Sequence, residues 1–186
     1  MRKSSKISKI RFTGGVFVLL MSMVLYAESS FSADDSIWHI KCFGADGHTI
    51  NVKSFGTDGH TYAVKAMKRK NSDLLDIKAL TGKRSKHHVK ILKGEKDGMA
   101  HVKAVKGSEV LNIKGIDRHG MIYDVKAFPG KRGEYDIKCV DHSGKKLGLK
   151  AISPDGEVYD VKGMKSVPGE EELEIGIAHV KARKRR

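Results

Sequence analysis

Aromatic residues are scarce in this chain of 186 residues, at 6% of the total, and it has only two cysteines and three prolines. Twenty glycines accompany this poverty of bulky side chains, so thin β layers with many turns are expected rather than one thick core. No G-x-S-x-G segment, no Gly-rich loop feeding a helix and no Cys/His nucleophile context occurs, and the chain is not expected to be an enzyme. Neither C-x-x-C nor H-x-x-x-H accompanies the nine histidines, so no metal site and no cofactor is expected. Acidic residues are also short, 22 against 36 Lys and Arg, giving a formal net charge of +14. Such a bias favours anionic partners without choosing among them.

Long apolar runs are missing as well. Gly14 to Ala27 is the apolar stretch, shorter than the roughly 20 residues that a membrane-spanning helix needs. It follows the basic residues Arg2, Lys3, Lys6, Lys9 and Arg11 and precedes the small residues Ser30, Ser32 and Ala33. This is the grammar of a signal peptide over residues 1–32, with a secreted or periplasmic mature chain that has no transmembrane segment. The mature chain would keep a net charge of +10.

What the chain does have is a repeat. A β-branched residue or Leu, then Lys, then usually a small residue, recurs at Lys41, Lys53, Lys65, Lys78, Lys90, Lys103, Lys114, Lys126, Lys138, Lys150, Lys162 and Lys181. The spacing is 12 residues with few departures: 13 before Lys78 and before Lys103, 11 before Lys114, and 19 before Lys181, where Pro168 to Glu172 is inserted. The residue three before the Lys is usually large (Trp38, Ile50, Tyr62, Leu75), and the one after it is small except at Ile91. These positions alternate along a strand, so the large, branched and small residues share one face. The Lys shares the other face with the residue two before it, which is Asp76, Asp124, Asp136 or Asp160 in some units and His, Asn, Ala or Gly in the rest.

Turn signals separate the strands. Asp46-Gly47, Thr57-Asp58-Gly59, His119-Gly120, Ser143-Gly144 and Pro154-Asp155-Gly156 fit three-residue hairpin loops that end in a left-handed glycine. The 11-residue interval fits a two-residue loop at Gly107-Ser108, and the 13-residue intervals fit four-residue loops. In Pro129-Gly130-Lys131-Arg132-Gly133 the second Gly comes one place late. The expected fold is an all-β antiparallel meander of about twelve strand-turn units over residues 33–182, as a curled sheet or barrel, with 183–186 as a solvated basic tail. A small β-solenoid is the alternative, although parallel stacking would ladder like charges. In the meander each Lys should face the residue two before the next Lys: Lys114 with Asp124, Lys126 with Asp136, Lys150 with Asp160. Ala127 should then face Tyr135, and Ala151 should face Tyr159.

The Lys row is the functional candidate. A regular row of cations can track a polyanion with affinity that falls as salt rises; the plainer reading is cross-strand pairing that keeps the sheet soluble. The anion-binding region is placed at Lys65, Lys68, Arg69, Lys70, Lys78, Lys83, Arg84, Lys86, Lys90 and Lys103. An anionic glycan or lipid surface of the cell envelope is the expected partner, and specific nucleic-acid recognition is not expected. The alternative is an assembly module whose exposed sheet edges pair with another protein. Cys42 and Cys139 occupy the same place in units one and nine, and are either a disulfide or two buried thiols.

The Asp124-Val125-Lys126-Ala127 phrase, closed by His179-Val180-Lys181-Ala182, resembles an exported bacterial family classed as a domain of unknown function. The likeness covers about residues 38–182 and implies no activity and no site.

Overall fold

The computed structural model describes residues 37–44, 46–68, 72–82, 85–94, 98–165 and 176–185. The signal-peptide expectation therefore lies outside the described residues. Twelve strands form: β1 (Ile37–Phe43), β2 (Thr49–Phe55), β3 (Thr61–Lys68), β4 (Leu74–Leu80), β5 (Lys86–Leu92), β6 (Ala100–Lys106), β7 (Glu109–Ile116), β8 (Ile122–Pro129), β9 (Tyr135–Val140), β10 (Lys146–Ile152), β11 (Val158–Met164) and β12 (Ala178–Lys184). Each carries one repeat Lys near its middle, and the branched residue before that Lys is buried in every unit.

Every pairing between strands is antiparallel, which rules out the solenoid alternative. The pairings are of two kinds. In the first, three strands pair cyclically, the second half of one against the first half of the next. This produces four three-stranded corners: β1–β2–β3, β4–β5–β12, β6–β7–β8 and β9–β10–β11. In the second kind, two strands from different corners pair along their length. The six resulting ribbons are β1–β10, β2–β7, β3–β4, β5–β6, β8–β9 and β11–β12. Each ribbon joins a different pair of corners, which is the connectivity of the vertices and edges of a tetrahedron. Both sides of every described strand are thereby paired, so among the described residues the sheet closes on itself.

The registers are as regular as the connectivity. Inside every corner a Lys lies opposite the residue two before its neighbour's Lys, as in Lys41 with Asn51, Lys114 with Asp124 and Lys150 with Asp160. In every ribbon Lys lies opposite Lys: Lys41 with Lys150, Lys53 with Lys114, Lys65 with Lys78, Lys90 with Lys103, Lys126 with Lys138 and Lys162 with Lys181. The expected pairing of Lys126 with Asp136 and of Ala127 with Tyr135 is therefore corrected. Lys126 faces Lys138, Ala127 faces Ile137, and Asp136 faces Lys162 of β11. The turn supplies the reason. In five corner hairpins the left-handed glycine stands six residues after the repeat Lys, at Gly47, Gly59, Gly120, Gly144 and Gly156, whereas Gly133 comes seven after Lys126. Moving the centre of a hairpin loop by one residue slides the partner strand by two, which keeps the same faces together but replaces the Lys–Asp register with Lys–Lys.

The inward face is closely packed. In most corners the small residue after the Lys lies opposite the large residue three before a neighbouring Lys, as in Cys42 with Ile50, Gly115 with Tyr123 and Ala151 with Tyr159. Three residues depart from this size rule: Ile91, large where small is usual, faces Ala178, small where large is usual, and Ala100, also small at the large position, faces Ala127. Ile91 is fully buried and also fills the space beside Gly163, where a built Cβ would overlap its Cδ1. Gly163→Ala should therefore destabilise the fold by about 1–3 kcal/mol through overpacking. In a denaturant-unfolding double-mutant cycle, Ile91→Ala should recover part of that loss, and strictly additive effects would show that the two sites do not meet.

The C-terminal boundary also needs correction. Arg183 and Lys184 belong to β12 and are not a solvated tail, and Arg183 donates to both Glu134 carboxylate oxygens, at 2.6 and 2.9 Å. A bidentate guanidinium–carboxylate pair fixes orientation as well as charge, which holds the strand end in place.

Candidate anion-binding corners

The outward face of each corner carries three lysines, one from each strand, arranged about a pseudo-threefold axis. In the first corner, β1, β2 and β3 present Lys41, Lys53 and Lys65, with His39, Asn51 and Ala63 opposite them. The second presents Lys78, Lys90 and Lys181 with Asp76, His88 and His179. The third presents Lys103, Lys114 and Lys126 with His101, Asn112 and Asp124. The fourth presents Lys138, Lys150 and Lys162 with Asp136, Gly148 and Asp160.

The corners differ in how far this charge is compensated. In the fourth, Lys150 pairs with Asp160 and Lys162 with Asp136. In the third, Asp124 pairs with Lys114 and lies 3.8 Å from Lys126, while Lys126 Nζ donates to His101 Nδ1 at 3.2 Å. In the second, Asp76 accepts from Lys181 at 2.5 Å and lies 3.9 Å from Lys78. The first corner has no carboxylate at these positions. There Lys65 Nζ donates to His39 Nδ1 at 2.9 Å, and among the described residues neither Lys41 nor Lys53 forms a hydrogen bond or ion pair.

Burial lowers the Lys65 pKa, and the charges of Lys53 and Lys41 lower it further. His39 is lowered by burial and then by Lys65 and Lys41, which keeps it neutral and able to accept from Lys65. Lys103 is lowered by burial and by Lys114 and Lys126. Asp124 is held below the ordinary carboxylate range, first by the hydrogen bond from Lys114. At Asp160 burial alone would raise the pKa, but the hydrogen bond and charge of Lys150, with Lys162, outweigh it. A carboxyl whose folded pKa is depressed adds stability above its unfolded pKa and loses it as pH falls through the folded value. The melting temperature should thus fall with acidification below about pH 4, and that fall should be shallower in Asp124→Asn. An unchanged slope would remove Asp124 from the acid transition.

The cations singled out in the sequence are spread over this architecture. Lys65 belongs to the first corner, Lys78 and Lys90 to the second, and Lys103 to the third; Lys65 faces Lys78, and Lys90 faces Lys103, across ribbons. Lys68 ends β3 and Lys86 begins β5, both exposed. Arg69, Lys70, Lys83 and Arg84 lie outside the described residues. Lys41 and Lys53 were not singled out, although they complete the one corner without a carboxylate. The first three units all lack Asp two residues before the Lys, but so do the units of Lys90, Lys103 and Lys114, which the fold divides between two corners, so the sequence alone did not mark this corner.

Cys42 and Cys139 are joined by a disulfide with a Cα–Cα distance of 6.2 Å. Both are fully buried, and the bond ties the first corner to the fourth through the interior. No described helix is long and apolar enough to cross a membrane.

A family model described as a family of unknown function, DUF7486, matches residues 34–184. The chain belongs to this family. The match spans all twelve strands, so the tetrahedral set of corners is the DUF7486 domain of this chain. No curated protein and no solved structure matches the chain.

Proposed function

We propose that this DUF7486 protein is an exported, non-enzymatic binding protein that attaches to an anionic component of the cell envelope through its lysine-bearing outer face. The observation that carries this reading is the imbalance of that face. Twelve repeat lysines point outward and only four repeat positions beside them hold a carboxylate, Asp76, Asp124, Asp136 and Asp160. Stability alone does not account for such a shell, because opposed like charges disfavour sheet pairing and each ribbon carries a Lys–Lys pair at its centre. An anionic surface relieves that repulsion and releases counterions, as in other polyelectrolyte contacts.

Export is supported by the basic and apolar N-terminal grammar and by a buried disulfide, a bond that persists in oxidising compartments. The binding test uses residues 33–186 with vesicles containing an anionic lipid and, separately, an immobilised anionic glycan. Retention on one of them should fall steeply with rising sodium chloride. Retention indifferent to salt, or equal retention on neutral surfaces, would sink the reading.

A further inference from the structure

The four corners form an internal comparison. In three of them a carboxylate of the chain itself sits among the lysines: Asp76 in the second, Asp124 in the third, Asp136 and Asp160 in the fourth. At the corresponding places of the first corner stand His39, Asn51 and Ala63, so three ammonium groups share one small face without an internal anion.

We propose that the first corner is a binding site for a single phosphomonoester or phosphate group, held by Lys41, Lys53 and Lys65. The ligand chemistry follows from symmetry and charge. A phosphomonoester has three equivalent terminal oxygens about a threefold axis and carries close to two negative charges at neutral pH. Each oxygen takes one ammonium, one from each strand of the corner. Lysine suits this role as a compact charge on an adjustable stem. A phosphodiester offers only two terminal oxygens and one charge, and leaves one lysine unmatched. The side chains are half-buried, so the three charges are screened less than fully exposed ones. Asn51 adds an amide beside Lys41. His39 accepts from Lys65 at 2.9 Å, which ties that ammonium to β1 of the same corner.

This site is a special case of the anion-binding reading above and rests on it. The experiment separates the two. Residues 33–186 are titrated with inorganic phosphate while backbone amide shifts are followed, and binding is then compared for vesicles bearing phosphatidic acid, a monoester headgroup, and phosphatidylglycerol, a diester. One phosphate should bind saturably, with shifts centred on residues 39–41, 51–53 and 63–65. Lys53→Gln should weaken it about tenfold or more, the effect of losing one charge-assisted hydrogen bond. Lys138→Gln, in the fourth corner, should leave it unchanged. A preference for phosphatidic acid over phosphatidylglycerol assigns the group to a lipid headgroup; equal binding of the two vesicles with saturable inorganic phosphate assigns it to a soluble phosphate. Either result supports the site. Both Lys53→Gln and the second variant, Lys41→Gln, remove a mutually repelling charge and should melt no lower than the parent chain. Shifts spread evenly over the four corners, or equal phosphate affinity in the parent and both variants, would overturn the site. Salt-dependent retention that survives such a result leaves the broader reading standing, and its loss takes both down.

Discussion

The Cys42→Ala/Cys139→Ala variant should be less stable than the oxidised parent by about 3–5 kcal/mol, lowering the melting temperature by about 6–20 °C. The bond spans 97 residues of sequence. In the chain-entropy account a loop of that size restricts the unfolded chain by about 4–5 kcal/mol. The topology adds a reason for the bond to lie where it does. Most ribbons form between strands consecutive in the chain, but β1 with β10 and β2 with β7 must join distant segments. The disulfide holds β1 against the corner that contains β10, so it shortens the search for one of these two distant closures. Reduction of the parent separates the causes, because reduction removes the cross-link but deletes no buried sulfur. The reduced parent should melt between the oxidised parent and the double variant. Identical melting of oxidised and reduced protein, or titration of two free thiols in the unreduced denatured chain, would contradict the bond.

The strands were legible in the sequence because the repeat states their facing pattern twelve times over, and local turn chemistry fixed their antiparallel sense. Gly107 at φ +55° in a loop closed by Lys106 opposite Glu109 is the two-residue turn that the short interval implied. Corner membership was not read, yet its marks were present. Each passage from one corner to another coincides with a departure from the rule: the two 13-residue intervals, the late Gly133 and the long insertion before β12. A uniform register would have made an open ribbon. The departures turn the chain from one corner to the next, and the distant ribbons β1–β10 and β2–β7 have no sequence signal because they depend on how four finished corners fit together. Ile91 and Ala178, 87 residues apart, meet with reversed sizes, but Ala100 is small at the same place in its unit, so size alone did not pair them.

The candidate site was legible in its chemistry and not in its place. Density of positive charge along the chain pointed to Lys65–Lys103, but the fold groups lysines by threes and sets three of the four groups, not the first, against carboxylates. Local charge density is a poor guide when neighbours in space are twelve residues apart. The absence of Asp in three consecutive units occurs twice, at Lys41 to Lys65 and at Lys90 to Lys114, and only the fold shows that the first run forms one corner.

Lys181 is the most buried of the repeat lysines, at 6% exposure, and its partner is Asp76 on β4, whose side chain is 14% exposed. The pair, 105 residues apart in the chain, joins the last strand to a corner otherwise built from β4 and β5. An ammonium so enclosed is tolerated because the carboxylate accepts from it; removing only the carboxylate charge leaves the cation desolvated. Asp76→Asn should therefore destabilise the fold by about 3–5 kcal/mol, against 1 kcal/mol or less, by the ordinary ~0–1 kcal/mol of exposed pairs, for Asp136→Asn beneath Lys162. Adding Lys181→Met to Asp76→Asn should restore much of the loss, since an apolar side chain of similar length needs no counter-charge. Hydrogen exchange should place the damage first in β12 and β4, because β12 completes its corner only through β4 and β5. If Asp76→Asn and Asp136→Asn proved equally mild, burial of the Lys181 ammonium would not be what holds the C-terminal strand to its corner.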